Sequence, residues 1–322
     1  MPEVDLSIVI VSFNSRDVLL PCLESIYASS PRLSFEVILV DNGSKDGSLQ
    51  EVRLRFPSVT VIESGYNSGY TGGNNIGYRQ AIGRNVLFLN PDTLINDGAL
   101  DGLVSRADSD PRCGAIGPKI QRQDGSLQLS CYRSPTVINV LCSVLFLDYI
   151  PCWESLSGIK THYRAEEYMK EMEVDAVSGC CLLVPKVVLD KIGGFDEEYW
   201  MYGEENDLCE RIRKSGYRIL YTPLVSIVHL GGLAKKALTL WWRIHIVHNR
   251  MLFFAKHRGK ASLGAFKAIL LFDTIRRTLT DTVRMMLTLT GDCSRRYRLK
   301  VAQSLGLLCW QLGLIKKGKR PA

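Results

Sequence analysis

Four runs rich in Val, Ile and Leu mark the amino-terminal part of the chain without polar alternation: Leu6 to Val11, Phe35 to Val40, Val59 to Ile62 and Val86 to Leu89. Continuous apolar runs of this length predict strands covered on both faces. Between the first two, Val18, Leu19, Cys22 and Ile26 recur at helical spacing within Ser15 to Ser29, and Asp46 to Phe56 reads as a second, shorter helix. Strand and helix therefore alternate, which predicts an α/β fold: a mostly parallel sheet flanked by helices. A different pattern occupies residues 193 to 217. Six carboxylates from Asp196 to Asp207 surround Tyr199, Trp200 and Tyr202, after which Leu208, Cys209 and Ile212 fall on one helical face and Gly216 stands where a helix ends. This predicts a helix with Glu204 and Glu205 at its N-terminus beside aromatic walls. Such a place can hold a carboxylate rigidly and adjust its pKa for general base work. First-turn acids also complement the helix dipole with no chemistry at all, and Asp207 reads as an acid of that kind. Val137 to Ile150 is the longest apolar run and is broken by Asn139 and Asp148; within it Val137 to Leu147 reads as a helix packed on the core in preference to one lying against a membrane, because Cys142, Ser143 and Asp148 weaken a lipid-facing stripe.

Ligands of a parallel sheet bind at the carboxyl ends of its strands. Here those ends read Ser12-Phe13-Asn14-Ser15, Asp41-Asn42-Gly43-Ser44, the stretch Gly65 to Asn75, and Asn90-Pro91-Asp92. One such end is only a turn, because Gly, Asn and Asp are turn formers. Four on one edge predict a site. The glycine-rich stretch lacks GxGxxG spacing and any Gly-Lys-Ser/Thr, so it is neither a dinucleotide fingerprint nor a P-loop. It reads as a loop whose backbone can approach a ligand closely, with amides free to bond it.

Charge divides the chain. Residues 1 to 232 carry 21 Lys and Arg against 30 Asp and Glu, whereas residues 233 to 322 carry 19 against 3, a net of +16. Trp241, Trp242, Phe253, Phe254, Phe266, Phe272 and Trp310 lie among those basic residues, a mixture that suits an anionic membrane surface or an acidic partner. Nucleic acid is not the expected partner, since the first 232 residues are acidic and no nucleic-acid module is present. The expected division is a catalytic domain over residues 1 to 232 and a basic helical extension over 233 to 322. Ten cysteines without a CxxC pair indicate neither a zinc site nor a disulfide framework, and no apolar run reaches the roughly 20 residues that span a bilayer. Together with an amino terminus that lacks a basic leader, this predicts a cytoplasmic protein.

The order of these motifs resembles the inverting nucleotide-sugar glycosyltransferases of family 2, which have the GT-A fold, and within them the rhamnosyltransferase-like branch. The likeness runs from about Leu6 to Gly259. It rests on Phe13-Asn14, the VDNGSKDGS stretch from Val40 to Ser48, Asn67 to Asn75, Asp92, the GGFDE segment from Gly193 to Glu197, the acidic pair, and His229 near Gly231-Gly232. Residues 248 to 259 also fit that branch. The resemblance implies a Rossmann-like GT-A fold and transfer of a sugar, rhamnose first, from a pyrimidine nucleoside-diphosphate sugar to a glycan or lipid-linked acceptor in cell-envelope polysaccharide synthesis. By position, Asp41 would bind the base, while Phe13, Asn14, Asn67, Gly72, Gly73, Asn75 and Asn90 would line the donor pocket. Asp92 would hold Mg or Mn, with His229 completing its shell. Glu205 would deprotonate the acceptor hydroxyl with Glu204 beside it, and Trp200 and Tyr202 would meet the acceptor. The enzyme would work at the cytoplasmic face of the membrane. Two departures matter: only one carboxylate stands at Asn90-Pro91-Asp92, and the pair is Glu-Glu where Glu-Asp is commoner. The rival readings are a nucleotidyltransferase, which wants a basic glycine-rich loop directly after the first strand, and a sugar-nucleotide-binding protein without turnover.

Overall fold

A computed structural model describes residues 4–150, 153, 157–231, 239–288 and 291–316. The chain forms two compact units, one from residues 1–134 and 162–234 and the other from 135–161 and 235–322. The boundary expected between residues 232 and 233, and Gly232 itself, lie outside the described residues.

The first unit is a sheet with helices. The expected strands appear as β1 (Leu6–Ser12), β2 (Phe35–Asp41), β3 (Thr60–Glu63) and β4 (Asn85–Leu89), and all four are parallel. To these the chain adds β5 (Thr93–Ile95), β6 (Cys113–Arg122), β7 (Leu127–Gln128), β9 (Met172–Val174), β11 (Cys181–Pro185) and β12 (Arg218–His229). The order across the sheet is β3-β2-β1-β4-β11-β6-β12-β5, with β7 on β6 and β9 on β12. Strand β11 runs against both β4 and β6, while β12 runs with β6, so β12 ends on the same edge as β1 to β4. The mostly parallel sheet is thus mixed beyond β4. A separate pair joins β8 (Cys131–Tyr132) to β10 (Ala176–Val177).

Both faces of the sheet are covered along β1, β2 and β4, as expected, whereas β3 at the end of the sheet is half-exposed with Thr60 and Glu63 in solvent. Ile8, Ile10, Val37, Leu39 and Leu87 point into one core, while Val9, Ile38, Val40, Val86 and Phe88 point into the other. Helices α1 (Arg16–Ala28), α2 (Ser48–Arg55), α3 (Gly69–Gln80), α4 (Ala99–Asp108), α6 (Lys186–Ile192) and α7 (Glu204–Lys214) belong to this unit.

The second unit holds α5 (Val137–Val144), α8 (Leu240–His257), α9 (Gly259–Leu287) and α10 (Gly291–Gln311). Its small core joins Val140 to Phe254 and Phe266, whose rings stack with centroids 4.4 Å apart. The Val137 to Ile150 segment therefore packs on the basic helices. Among the described residues no helix is long and apolar enough to cross a membrane.

Candidate active site

The parallel register brings the strand ends into line: Ser12 lies opposite Asp41, and Asp41 opposite Glu63. Asp41 is 2 % exposed. Its Oδ2 accepts the amides of Gly43 and Ser44 at 3.0 and 2.9 Å, whereas its buried Oδ1 has no protein partner. An orphaned buried acceptor is costly, so this oxygen is poised for a donor from outside the protein. Asn14 adopts a left-handed backbone (φ 47°) and its Oδ1 accepts the Lys45 amide at 2.8 Å, which ties the β1 end to the β2 loop. Phe13, beside it, is 39 % exposed at the rim.

The glycine-rich stretch departs from expectation. From Gly69 onward it is helix α3, and Gly72, Gly73 and Asn75 are buried within it instead of lining an open loop. The reason is packing. A Cβ on Gly73 would sit 2.6 Å from Val11, so glycine lets this helix lie directly on β1. Asn75 is likewise committed: its amide donates to the Phe195 carbonyl (2.8 Å) and accepts the Phe195 amide (2.9 Å), clamping the GGFDE turn. The first amides of α3 are also taken. Asn67 Oδ1 accepts Gly69 N at 3.0 Å, and the Trp200 carbonyl accepts Tyr70 N and Thr71 N at 2.8 and 3.3 Å.

That carbonyl is aimed by an unusual backbone. Trp200, Tyr202 and Gly203 all have positive φ, at 54°, 70° and 90°, a strained region for two bulky aromatics. The strain is offset by capping α3, whose first N–H groups would otherwise be unpaired. Trp200 is 7 % exposed, its indole packed against Gly69, so the ring is not presented to an acceptor; Tyr202 remains half-buried. Gly69 combines a φ of 79° with a site where a Cβ would collide with that indole. Gly69→Ala is expected to cost about 2–4 kcal/mol from the left-handed penalty and the overpacking together, read from the urea midpoint. Asn42 completes the joint, donating to Gly69 O at 2.9 Å and accepting Ser68 Oγ at 2.8 Å.

The turn at residues 200 to 203 delivers Glu204 and Glu205 into the first turn of α7, as the periodicity predicts. Glu204 is 7 % exposed and its Oε2 has no protein partner. Burial first, and the Glu205 charge second, push the Glu204 carboxyl well above the usual carboxylate range; burial also raises Glu205. A folded state that holds a proton more tightly than the unfolded chain loses stability as pH rises through the folded pKa. Glu204→Gln is therefore expected to raise the melting temperature at pH 8 more than at pH 4, in a pH series of thermal melts. Asp207 is structural, its Oδ2 accepting Arg211 Nε at 2.7 Å.

A second pair forms across the far side of the sheet. Strand β5, which follows Asp92 directly, pairs antiparallel with the end of β12 and sets Thr93 opposite His229. Asp92 Oδ1 then lies 3.3 Å from His229 Nε2, and Asp92 is 6 % exposed. His229 Nδ1 is 3.0 Å from Gln128 Oε1, so one ring nitrogen meets an amide oxygen and the other meets the Asp92 carboxylate. An outer acceptor on the other ring nitrogen is what metal-ligating histidines have. The donor set fits Mn or Mg shared with a ligand, since one oxygen and one nitrogen leave most coordination positions open. Among the described residues no cluster of three or more His, Cys, Asp or Glu is present.

Cys180 links the two carboxylate sites. Its carbonyl accepts Asn90 N at 2.9 Å, and its thiol is pushed up to about 12, chiefly by burial, with the charges of Asp92 and Glu205 contributing in the same direction. Tyr70, whose hydroxyl donates to Gly179 O at 2.6 Å, faces Glu204 and Glu205, and Tyr132 faces Glu205. Asn42 and Tyr70 stand within the strand-end motifs without a role of their own being read there, whereas Gln128 and Tyr132 belong to a segment with no legible pattern and Cys180 to no motif.

Residues 7–152 match the family model described as glycosyl transferase family 2, and residues 160–230 match the one described as the N-terminal domain of galactosyltransferase. The chain is 34 % identical over 205 residues to the N-acetylglucosaminyl-diphospho-decaprenol L-rhamnosyltransferase of Mycobacterium tuberculosis, covering 60 % of this chain and 66 % of that protein, just under two thirds of its length. It is 27 % identical to the rhamnosyltransferase WbbL of Escherichia coli over 69 % of this chain and 82 % of that one. Among solved structures it resembles the mannosyltransferase PcManGT from Pyrobaculum calidifontis, in complex with GDP-Man and Mn2+, with a TM-score of 0.57 at 18 % identity, over 96 % of this chain and 87 % of that one. The fold is thus that of GT-A glycosyltransferases.

Proposed function

The chain belongs to glycosyl transferase family 2 through residues 7–152, and from that premise we propose that it is an inverting glycosyltransferase. Its donor is a pyrimidine nucleoside-diphosphate sugar, with rhamnose the first candidate, and its acceptor is a hydroxyl of a glycan or lipid-linked glycan. The rhamnosyltransferase relatives support the sugar and the lipid-linked acceptor. One observation carries the assignment: Glu205 of the raised acidic pair and Asp92, 3.3 Å from His229, both act on Cys180, whose carbonyl holds Asn90 at the carboxyl end of β4.

Each residue then has a task. The orphaned Oδ1 of Asp41 accepts the ring N–H of the base, and Phe13 lies at the rim where a base can stack. Asn14, Asn67, Gly72, Gly73 and Asn75 serve the pocket by shaping it, through the loop clamp, the α3 cap and the close packing of α3 on β1. Asn90 fixes the turn that carries Asp92. Asp92 and His229 would hold a divalent cation, which when bound neutralises charge on the departing diphosphate. Glu205 accepts the acceptor hydroxyl proton as its oxygen attacks the anomeric carbon and the bond to the diphosphate breaks, with inversion. Glu204, its carboxyl also raised by burial, stands beside Glu205 and can take the base's place. Tyr202 is the acceptor-side aromatic that remains accessible.

The first unit carries the transfer chemistry, and the basic helices serve an acceptor at the cytoplasmic face of a membrane. A nucleotidyltransferase is less well supported, because Ser12-Phe13-Asn14-Ser15 offers no basic glycine-rich loop. The deciding experiment is a thermal-shift screen of nucleotide sugars with and without MnCl2, followed by product analysis. Stabilisation by a pyrimidine donor with release of the nucleoside diphosphate supports the reading, whereas stabilisation without turnover for any acceptor favours a binder. Asp41→Asn should weaken donor binding by about 10-fold or more, the cost of losing a charged acceptor, measured by calorimetry.

A further inference from the structure

Helix α9 carries an apolar stripe that its own unit leaves uncovered. Phe272, Ile275, Leu279, Val283 and Met286 are 52, 42, 63, 53 and 69 % exposed. Their spacing of three, four, four and three residues puts them on one side of the helix, at about 100° per residue. The buried residues Phe266, Asp273 and Thr274 lie on the other side. A solvated helix face is normally polar, so five exposed apolar side chains in register are the exception that marks a surface for something else.

The same unit holds a second exposed apolar surface at and after α5. Leu141, Leu145, Phe146, Tyr149 and Ile150 are 38, 45, 50, 78 and 47 % exposed. The Arg276 guanidinium joins the two surfaces, lying 4.8 Å from the centroid of the Phe146 ring. Arg276 and Arg277 both pair with Asp273, which draws that acid to the inward side of the helix. Of the arginines on this helix, Arg276 borders the stripe, and no acid stands in it.

We infer that α9 and the turn after α5 form an interfacial docking surface for an anionic lipid bilayer. Phe272, Leu279, Val283 and Phe146 enter the acyl boundary, and Arg276, which borders the stripe, meets the headgroups. Charge selects this occupant. Residues 233–322 carry a net +16, so a second copy of the chain would bring like charges together over the same face, whereas an anionic bilayer neutralises them. Spanning is excluded for the described helices, so α9 lies on the bilayer. The inference deepens the proposed function, on which it rests only for its purpose: bringing the enzyme to an acceptor held in lipid.

The test is flotation of the full-length protein with vesicles of phosphatidylcholine, alone or mixed with phosphatidylglycerol. Wild type should float with the anionic vesicles, and a fraction should stay bound in high salt, because apolar insertion is not screened. Leu279→Asp with Val283→Asp should lower the partition coefficient at least about 10-fold, since two buried aliphatic side chains are lost from the contact. The milder Leu279→Ser should fall between, and unchanged helicity and nucleotide-sugar thermal shift keep the variants comparable. The inference fails if wild type does not float, if the variants float equally, or if high salt strips all bound protein. It also fails if light scattering shows a wild-type dimer that the double variant dissociates. None of these outcomes alters the donor thermal shift, so failure of the docking surface and failure of the transferase reading are read separately.

Discussion

Glu205→Gln should lower the rate of sugar transfer by about 100-fold to 10,000-fold, the usual worth of a positioned general base, while donor affinity changes by no more than about twofold. Gln keeps the shape and removes only the proton acceptor, so a loss in kcat without a loss in binding is what a base predicts. Single-turnover transfer and calorimetric titration of the donor measure the two halves. A comparable loss in donor affinity would instead mean that Glu205 holds the nucleotide. The wild-type pH profile carries a second signature. A base must be unprotonated, and burial raises the Glu205 carboxyl, so transfer should rise with pH through a limb above the ordinary glutamate value of about 4.3. Glu204→Gln removes the neighbouring charge that a buried pair must share, so that limb should move down in this variant.

Asp92→Asn is the second large effect. It should lower transfer by about 100-fold or more and abolish the extra thermal stabilisation that MnCl2 gives with donor, because an amide replaces the anionic oxygen of a two-donor set. His229→Gln should act in the same direction and more weakly, since the hard carboxylate supplies the charge. Full MnCl2-dependent stabilisation in Asp92→Asn would show that the cation sits elsewhere. Loss of stability without donor would show instead that the Asp92–His229 contact holds β5 to β12.

Much of the first unit is legible in order along the chain. The runs at Leu6, Phe35 and Val86 are rich in Val, Ile and Leu without polar alternation, the composition of a strand covered on both faces, whereas the run at Val59 forms the half-exposed strand β3. The acidic helix is legible too, because Leu208, Cys209 and Ile212 keep helical spacing and Gly216 (φ 91°) ends the helix. Glycine misleads. Between Asn67 and Asn75 it reads as loop, yet Gly73 is a contact surface for Val11, and a residue without Cβ signals open backbone and tight packing alike. Asn75 looked like a donor contact and is a clamp, since both ends of its amide are used within 3 Å by Phe195.

Local pattern thus settled the elements that neighbouring residues decide: which runs are strands, where α1 and α7 lie, and that acids stand at the strand ends and at the start of a helix. Hydrophobic periodicity is a property of adjacent positions, so it survives in the bare chain. The distance between Asp92 and His229 is not such a property. They are 3.3 Å apart because β5 runs back along β12, which no local preference specifies. Nor could spacing reveal that the Trp200 carbonyl caps α3, that Asn42 holds Gly69, or that Cys180 stands near both Asp92 and Glu205. Those contacts join residues far apart in the chain, and their energies exist only once the sheet has closed and removed the water between them.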